Sequence, residues 1–148
     1  MTRRALLLML LIGSCLLMAH SASVAQPPDH ELSVTRLYNG EPFIAQDPTH
    51  PMSLAVAWMT YDLRARVVSI TVRSSSDGGA TWSDTTTLPH FGAGWGSADV
   101  SMAWSTSGTL FLSYVDYLSA STTTEGGVYV ARSDNGGRTW HTPVRAID

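Results

Sequence analysis

The chain has 148 residues and a formal net charge of −3. All nine basic residues are arginine and they are scattered, with no basic stripe and no interleaved aromatics, which argues against a nucleic-acid partner. Cys15 is the single cysteine, so neither a disulfide framework nor a thiolate metal site is expected.

The first elements read as export signals. Arg3 and Arg4 precede an apolar run from Ala5 to Met18, and Ser23-Val24-Ala25 places small residues where a signal peptidase reads. Residues 1–25 are therefore predicted to be a signal peptide cleaved before Gln26. The run falls short of the roughly 20 residues a membrane span needs. Two alternatives also export the chain: an uncleaved N-terminal anchor, or lipidation at Cys15, since Ile12-Gly13-Ser14-Cys15 is similar to a bacterial lipobox. A secreted or periplasmic location follows, or a lipid-anchored one. The mature chain holds seven arginines against twelve acids, and all of the Trp and Tyr residues.

Residues 26–40 read as a linker and a lead-in strand, with QPPDHE followed by a strand over 32–38. Strands are then predicted at 53–59, 66–74, 85–88, 99–105, 109–117, 126–133 and 142–147. These segments alternate apolar and polar residues, favour β-branched side chains and are punctuated by Gly, Ser, Asp and Pro. LPHFGAGWGS (88–97) reads as a loop between two units, and 118–125 as a second long loop.

Two octapeptides repeat, SSDGGATW (75–82) and SDNGGRTW (133–140). Their alignment pairs Ser75 with Ser133, Asp77 with Asn135, Gly79 with Gly137, Thr81 with Thr139, and Trp82 with Trp140. Val72 pairs with Val130 upstream, and Asp47 and Asp99 are placed at the heads of the two units. A β-rich repeat of this size points to propeller blades of four strands each.

The octapeptide resembles the Asp-box, or BNR repeat, of sialidase-type β-propellers, and the resemblance covers residues 41–148. It departs at Asn135, where the family favours Asp. The fold it implies is all-β, a partial propeller of about two blades from a ring of about six. The ten box residues are read as structural. Asp77 accepts turn N–H bonds, Gly78 and Gly79 supply angles a Cβ forbids, Thr81 opens the next strand, and Trp82 folds beneath the turn. The alternative is a Ca²⁺ or sugar site at Asp77.

The resemblance also implies a chemistry, hydrolysis of terminal sialic acid from a glycan or glycoprotein. Arginines clamp the substrate carboxylate, an Asp serves as acid and base, and a Tyr is the nucleophile beside a Glu. The family's Arg-Ile-Pro motif is missing. Glu41-Pro42-Phe43-Ile44-Ala45 stands where it is expected, just before the first blade strand, and Arg36 is near but not a match. Asp62, Asp99 and Asp116, each near a strand end, are the remaining catalytic candidates, set against a turn or surface role for each. Trp58 and Trp104 read as core, and Trp95 as a loop anchor or a sugar-stacking ring. His50, His90 and His141 lack ligand spacing, so no metal and no cofactor is called for. The later family residues would lie in blades beyond residue 148, so 41–148 alone is not expected to be an active sialidase. Either more chain or self-association would close the ring. The rival to the enzyme is a non-catalytic propeller that binds a glycan or protein.

Overall fold

A computed structural model describes residues 29–33, 36–118 and 125–148. The proposed leader, with Cys15, lies outside the described residues, as does most of the 118–125 loop. Among the described residues no helix is long and apolar enough to cross a membrane.

The fold is all-β, a partial propeller of two blades. Strands β1 (Tyr38–Gln46), β2 (Leu54–Asp62), β3 (Val67–Ser75) and β4 (Thr86–Thr87) form one sheet in that order. Strands β5 (Trp95–Trp104), β6 (Leu110–Leu118), β7 (Gly126–Ser133) and β8 (Val144–Ile147) form the other, and every pairing is antiparallel. Sequential hairpins of this kind need only short turns, which the Gly- and Asp-rich connections supply.

β5 packs across β1, β2 and β3 of the first sheet. The shared core takes Ala55, Ala57, Ile70, Val72 and Leu88 from the first sheet and its edge. The second sheet contributes Met102, Leu110, Leu112, Tyr114, Tyr129 and Ala131. Small residues on β2, Ala55 and Ala57, face the same core as the large Leu112, Tyr114 and Tyr129 of β6 and β7. The far face of β2 is also buried: Trp58 donates through Nε1 to Asn39 Oδ1 at 2.9 Å, and Thr60 donates to Thr71 at 2.9 Å. Arg73 reaches the carbonyl of Leu32, which holds the segment before β1 against this sheet.

Several boundaries differ from the sequence reading. Among the described residues of 32–38, only Tyr38 is in a strand. The first strand instead runs through Glu41-Pro42-Phe43-Ile44-Ala45, the stretch expected to precede it. Pro42 is tolerated because β1 is a sheet edge and the ladder breaks at a bulge between Gly40 and Phe43. β5 carries the same bulge between Ala98 and Ser101. Glu41 (φ 51°) and Asp99 (φ 54°) hold the matching left-handed position in the two bulges. Asp99 is thus the partner of Glu41, not of Asp47, which corrects the alignment of unit heads. The offset that carries Ser75 to Ser133 also carries Glu41 to Asp99. The 88–97 loop is shorter than predicted, since Trp95, Gly96 and Ser97 already belong to β5. Thr81 does not open a strand: β4 begins only at Thr86.

Candidate functional site

The chain direction in each sheet puts the octapeptide turns at one end and the β2–β3 connection at the other. The box end is built by hydrogen bonds within each turn. Ser75 Oγ donates to Asp77 Oδ1 at 2.7 Å and accepts from Gly79 N at 2.9 Å. Thr81 donates to Asp77 through both its backbone N–H (2.8 Å) and its hydroxyl. Trp82 Nε1 donates to Gly79 O at 3.0 Å. The second turn repeats the pattern, with Ser133, Gly137, Asn135, Thr139 and Trp140 in the same roles. Asn135 differs in one bond, donating through Nδ2 to the Thr139 hydroxyl at 2.8 Å. Each of the ten box residues is thus engaged in the turn through its side chain or its backbone. Asp77 is held down at about 2, chiefly by the Thr81 hydroxyl and N–H and then by Ser75.

The opposite end carries the other predicted residues, and the structure brings only some of them together. Arg36, Leu37, Asp62, Leu63 and Arg64 line one groove of about 330 Å³. Asp62 Oδ1 accepts from Arg64 N (2.8 Å) and Ala65 N (3.0 Å), which shapes the turn into β3. These N–H donors, with the nearby Arg64 charge, hold the Asp62 carboxyl below its usual range. A second groove of about 380 Å³ is lined by Tyr38, Gly40, Glu41, Met59, Tyr61 and Val68. Tyr38 is 71% exposed.

Asp99 is exposed on the β5 bulge and lines neither of these grooves. Asp116 is neither a turn nor a surface carboxylate. It is fully buried and accepts from His90 Nδ1 (2.8 Å), Ser97 Oγ (2.8 Å) and Phe91 N (2.7 Å). His90 in turn meets Ser69 Oγ through Nε2 at 3.1 Å. Sequence reasoning missed Ser69, His90 and Ser97. Trp95 is half-buried at the start of β5, against Gly92, where a Cβ would sit 2.8 Å from its Nε1. The exposed ring of that loop is Phe91, tilted against Trp95 and Tyr129 at centroid distances of 5.5 and 5.1 Å.

Three of the histidines pair with an aspartate, His50 with Asp47, His90 with Asp116 and His141 with Asp134. Among the described residues no group of three or more His, Cys, Asp or Glu side chains is placed to hold a metal. Compared with known protein families and with curated proteins, the sequence matches none.

Proposed function

We propose that the chain is part of an exported, sialidase-like Asp-box propeller that binds an acidic glycan at the end of its sheets away from the boxes. The observation that carries this reading is the placement of Arg36 and Arg64 in one groove at that end, with Tyr38 and Tyr61 lining a second groove there. Guanidinium groups pair with a sugar carboxylate, and phenol rings stack on the apolar face of a pyranose. A carboxylate-bearing terminal sugar is the ligand class that uses both.

Binding has more support than hydrolysis. A glycosidase acid must hold its proton near neutral pH, and Asp62 is held ionised by its turn. Asp116 is enclosed by donors and has no open side toward a ligand. Glycan hydrolysis rests on the octapeptide resemblance alone. In the binding reading, a further blade packs on the β6 face that bears Phe111 and Tyr117, which are 39% and 37% exposed. Those positions match Ala55 and Tyr61 on the first sheet by register from the boxes. That blade comes from more chain or from self-association.

The test is titration of the protein with sialyllactose and with lactose, followed by ligand-detected NMR. Saturable binding of sialyllactose alone is expected. The double change Arg36→Ala and Arg64→Ala is expected to weaken it by about tenfold or more, the worth of one charge-assisted hydrogen bond. Equal binding of the two sugars, or none, rejects the reading. Release of free sialic acid in the same samples moves the assignment to the hydrolase.

A further inference from the structure

The constellation around Asp116 is left unused by the glycan reading. Ser69 lies on β3, His90 in the β4–β5 connection, and Asp116 on β6. They form one hydrogen-bonded line, with Ser69 Oγ 3.1 Å from His90 Nε2 and His90 Nδ1 2.8 Å from Asp116 Oδ1. From this geometry we propose that Ser69 and His90 form a nucleophilic site for ester hydrolysis, positioned by Asp116.

The roles follow from where each proton sits. The proposed chemistry needs the tautomer in which Nδ1 of His90 donates to an ionised Asp116 and Nε2 keeps its lone pair. That lone pair faces the Ser69 hydroxyl, which donates to it. A serine, a histidine and an aspartate in this linkage are recognised by geometry and not by chain order. Ser97 also touches the imidazole, at 3.1 Å from Nδ1. It is fully buried and donates to Asp116 Oδ1, so it fixes the carboxylate and is not the nucleophile. Phe91 N–H fixes the other oxygen. The imidazole is thereby held in one orientation.

Access separates this arrangement from a buried strut. The His90 side chain is 21% exposed, and Ser69 is half-buried. The second nitrogen reaches the hydroxyl of Ser69 on β3, at a position past the short β4 ladder. Phe91 follows His90 in the chain, and its exposed ring lies tilted against Trp95.

The step balances without a cofactor. Ser69 Oγ forms a bond to the ester carbonyl carbon while its proton passes to Nε2. The tetrahedral oxyanion collapses, the carbon–oxygen bond to the leaving alcohol breaks, and that oxygen takes the proton from Nε2. Water then repeats the sequence on the acyl-serine, releasing the acid and restoring the hydroxyl.

The experiment is active-site labelling of the full chain with a fluorophosphonate, read by peptide mass spectrometry, alongside p-nitrophenyl acetate turnover. One phosphonyl adduct is expected, on Ser69. Ser69→Ala is expected to lose both the adduct and turnover with an unchanged circular dichroism spectrum. His90→Gln is expected to slow labelling by about 10²-fold or more, the usual contribution of a general base. Because His90→Gln also touches the blade contact, Ser97→Ala serves as the second variant, with Ser69 labelling slowed less than in His90→Gln. No adduct on Ser69 in the folded wild type overturns the proposal, as does equal labelling of wild type and His90→Gln. Neither outcome bears on sialoside binding, which is read separately.

Discussion

At the scale of single residues, the two boxes offer an internal comparison. Asp77 and Asn135 fill the same position, and each accepts the N–H of the threonine four residues on. They differ in the bond to the threonine hydroxyl, where Asp77 accepts and Asn135 donates. The acid therefore does something the amide does not: its folded value is near 2, below the ordinary 3.8. A depressed carboxylate contributes stability that is fully present above its unfolded value and is lost as pH falls through its folded value. The window is thus about pH 4 down to about pH 2. Asp77→Asn is expected to fold with the bonds of the second box and to lose less stability across that window. Thermal melts of wild type and variant at several pH values check this. Asp47 and Asp62 are also held low by turn N–H groups, so the variant keeps part of the acid dependence. Identical slopes for the two proteins would remove Asp77 from the account.

At the scale of elements, the box turn depends on glycine for two separable reasons. Gly137 has φ 90°, and a Cβ there would also meet Leu110 Cδ2 at 3.3 Å and Trp140 Cζ2 at 3.6 Å. Gly108 has φ 83°, with nothing within 4 Å of an added Cβ. Gly108→Ala therefore reports backbone strain alone, about 1 kcal/mol. Gly137→Ala adds the crowding of a packed turn and is expected to cost about 2 kcal/mol or more. Urea midpoints of the two variants measure the difference, and equal costs would mean that the Leu110 and Trp140 contacts yield freely. The strands and these turns were legible because period-2 patterning and Gly-Gly pairs are local signals. The matching bulges were not, because Glu41 and Asp99 share a backbone angle and little surrounding sequence. β1 was misplaced for the same reason: Pro42 argues against a strand unless the bulge that admits it is known. Of the site, Asp62 and Arg36 could be named from their positions, but their shared groove comes from folding the lead-in segment back onto the β2–β3 turn.

At the scale of the whole molecule, the signal that sequence reading passed over is a series on β6. Leu110, Leu112, Tyr114 and Asp116 alternate along one face, and all four are buried. A carboxylate that continues an apolar series is one that tertiary structure must satisfy, and its partners come from the loop that joins the blades. Tyr114 belongs to the same contact. Its hydroxyl donates to Pro89 O at 3.0 Å, and burial, followed by the charge of Asp116, raises its phenol well above the usual value. The connection 89–91 is therefore tied to the second sheet at Tyr114 and Asp116, while Ser69 ties it to the first. Asp116→Asn tests how far the two blades depend on that tie. Three donors converge on the carboxylate, and an amide in its place turns one acceptor into a donor facing another donor. Leaving a buried partner unsatisfied costs about 1–3 kcal/mol. A cost near 3 kcal/mol lowers the midpoint of a domain this size by on the order of 10 °C. Because both sheets share one core, the variant is expected to melt in a single transition at the lower temperature, followed by tryptophan fluorescence and far-ultraviolet circular dichroism together. Two separated transitions would mean that the blades fold independently and that the Asp116 network alone couples them. An unchanged midpoint would mean that apolar packing between the sheets suffices without it.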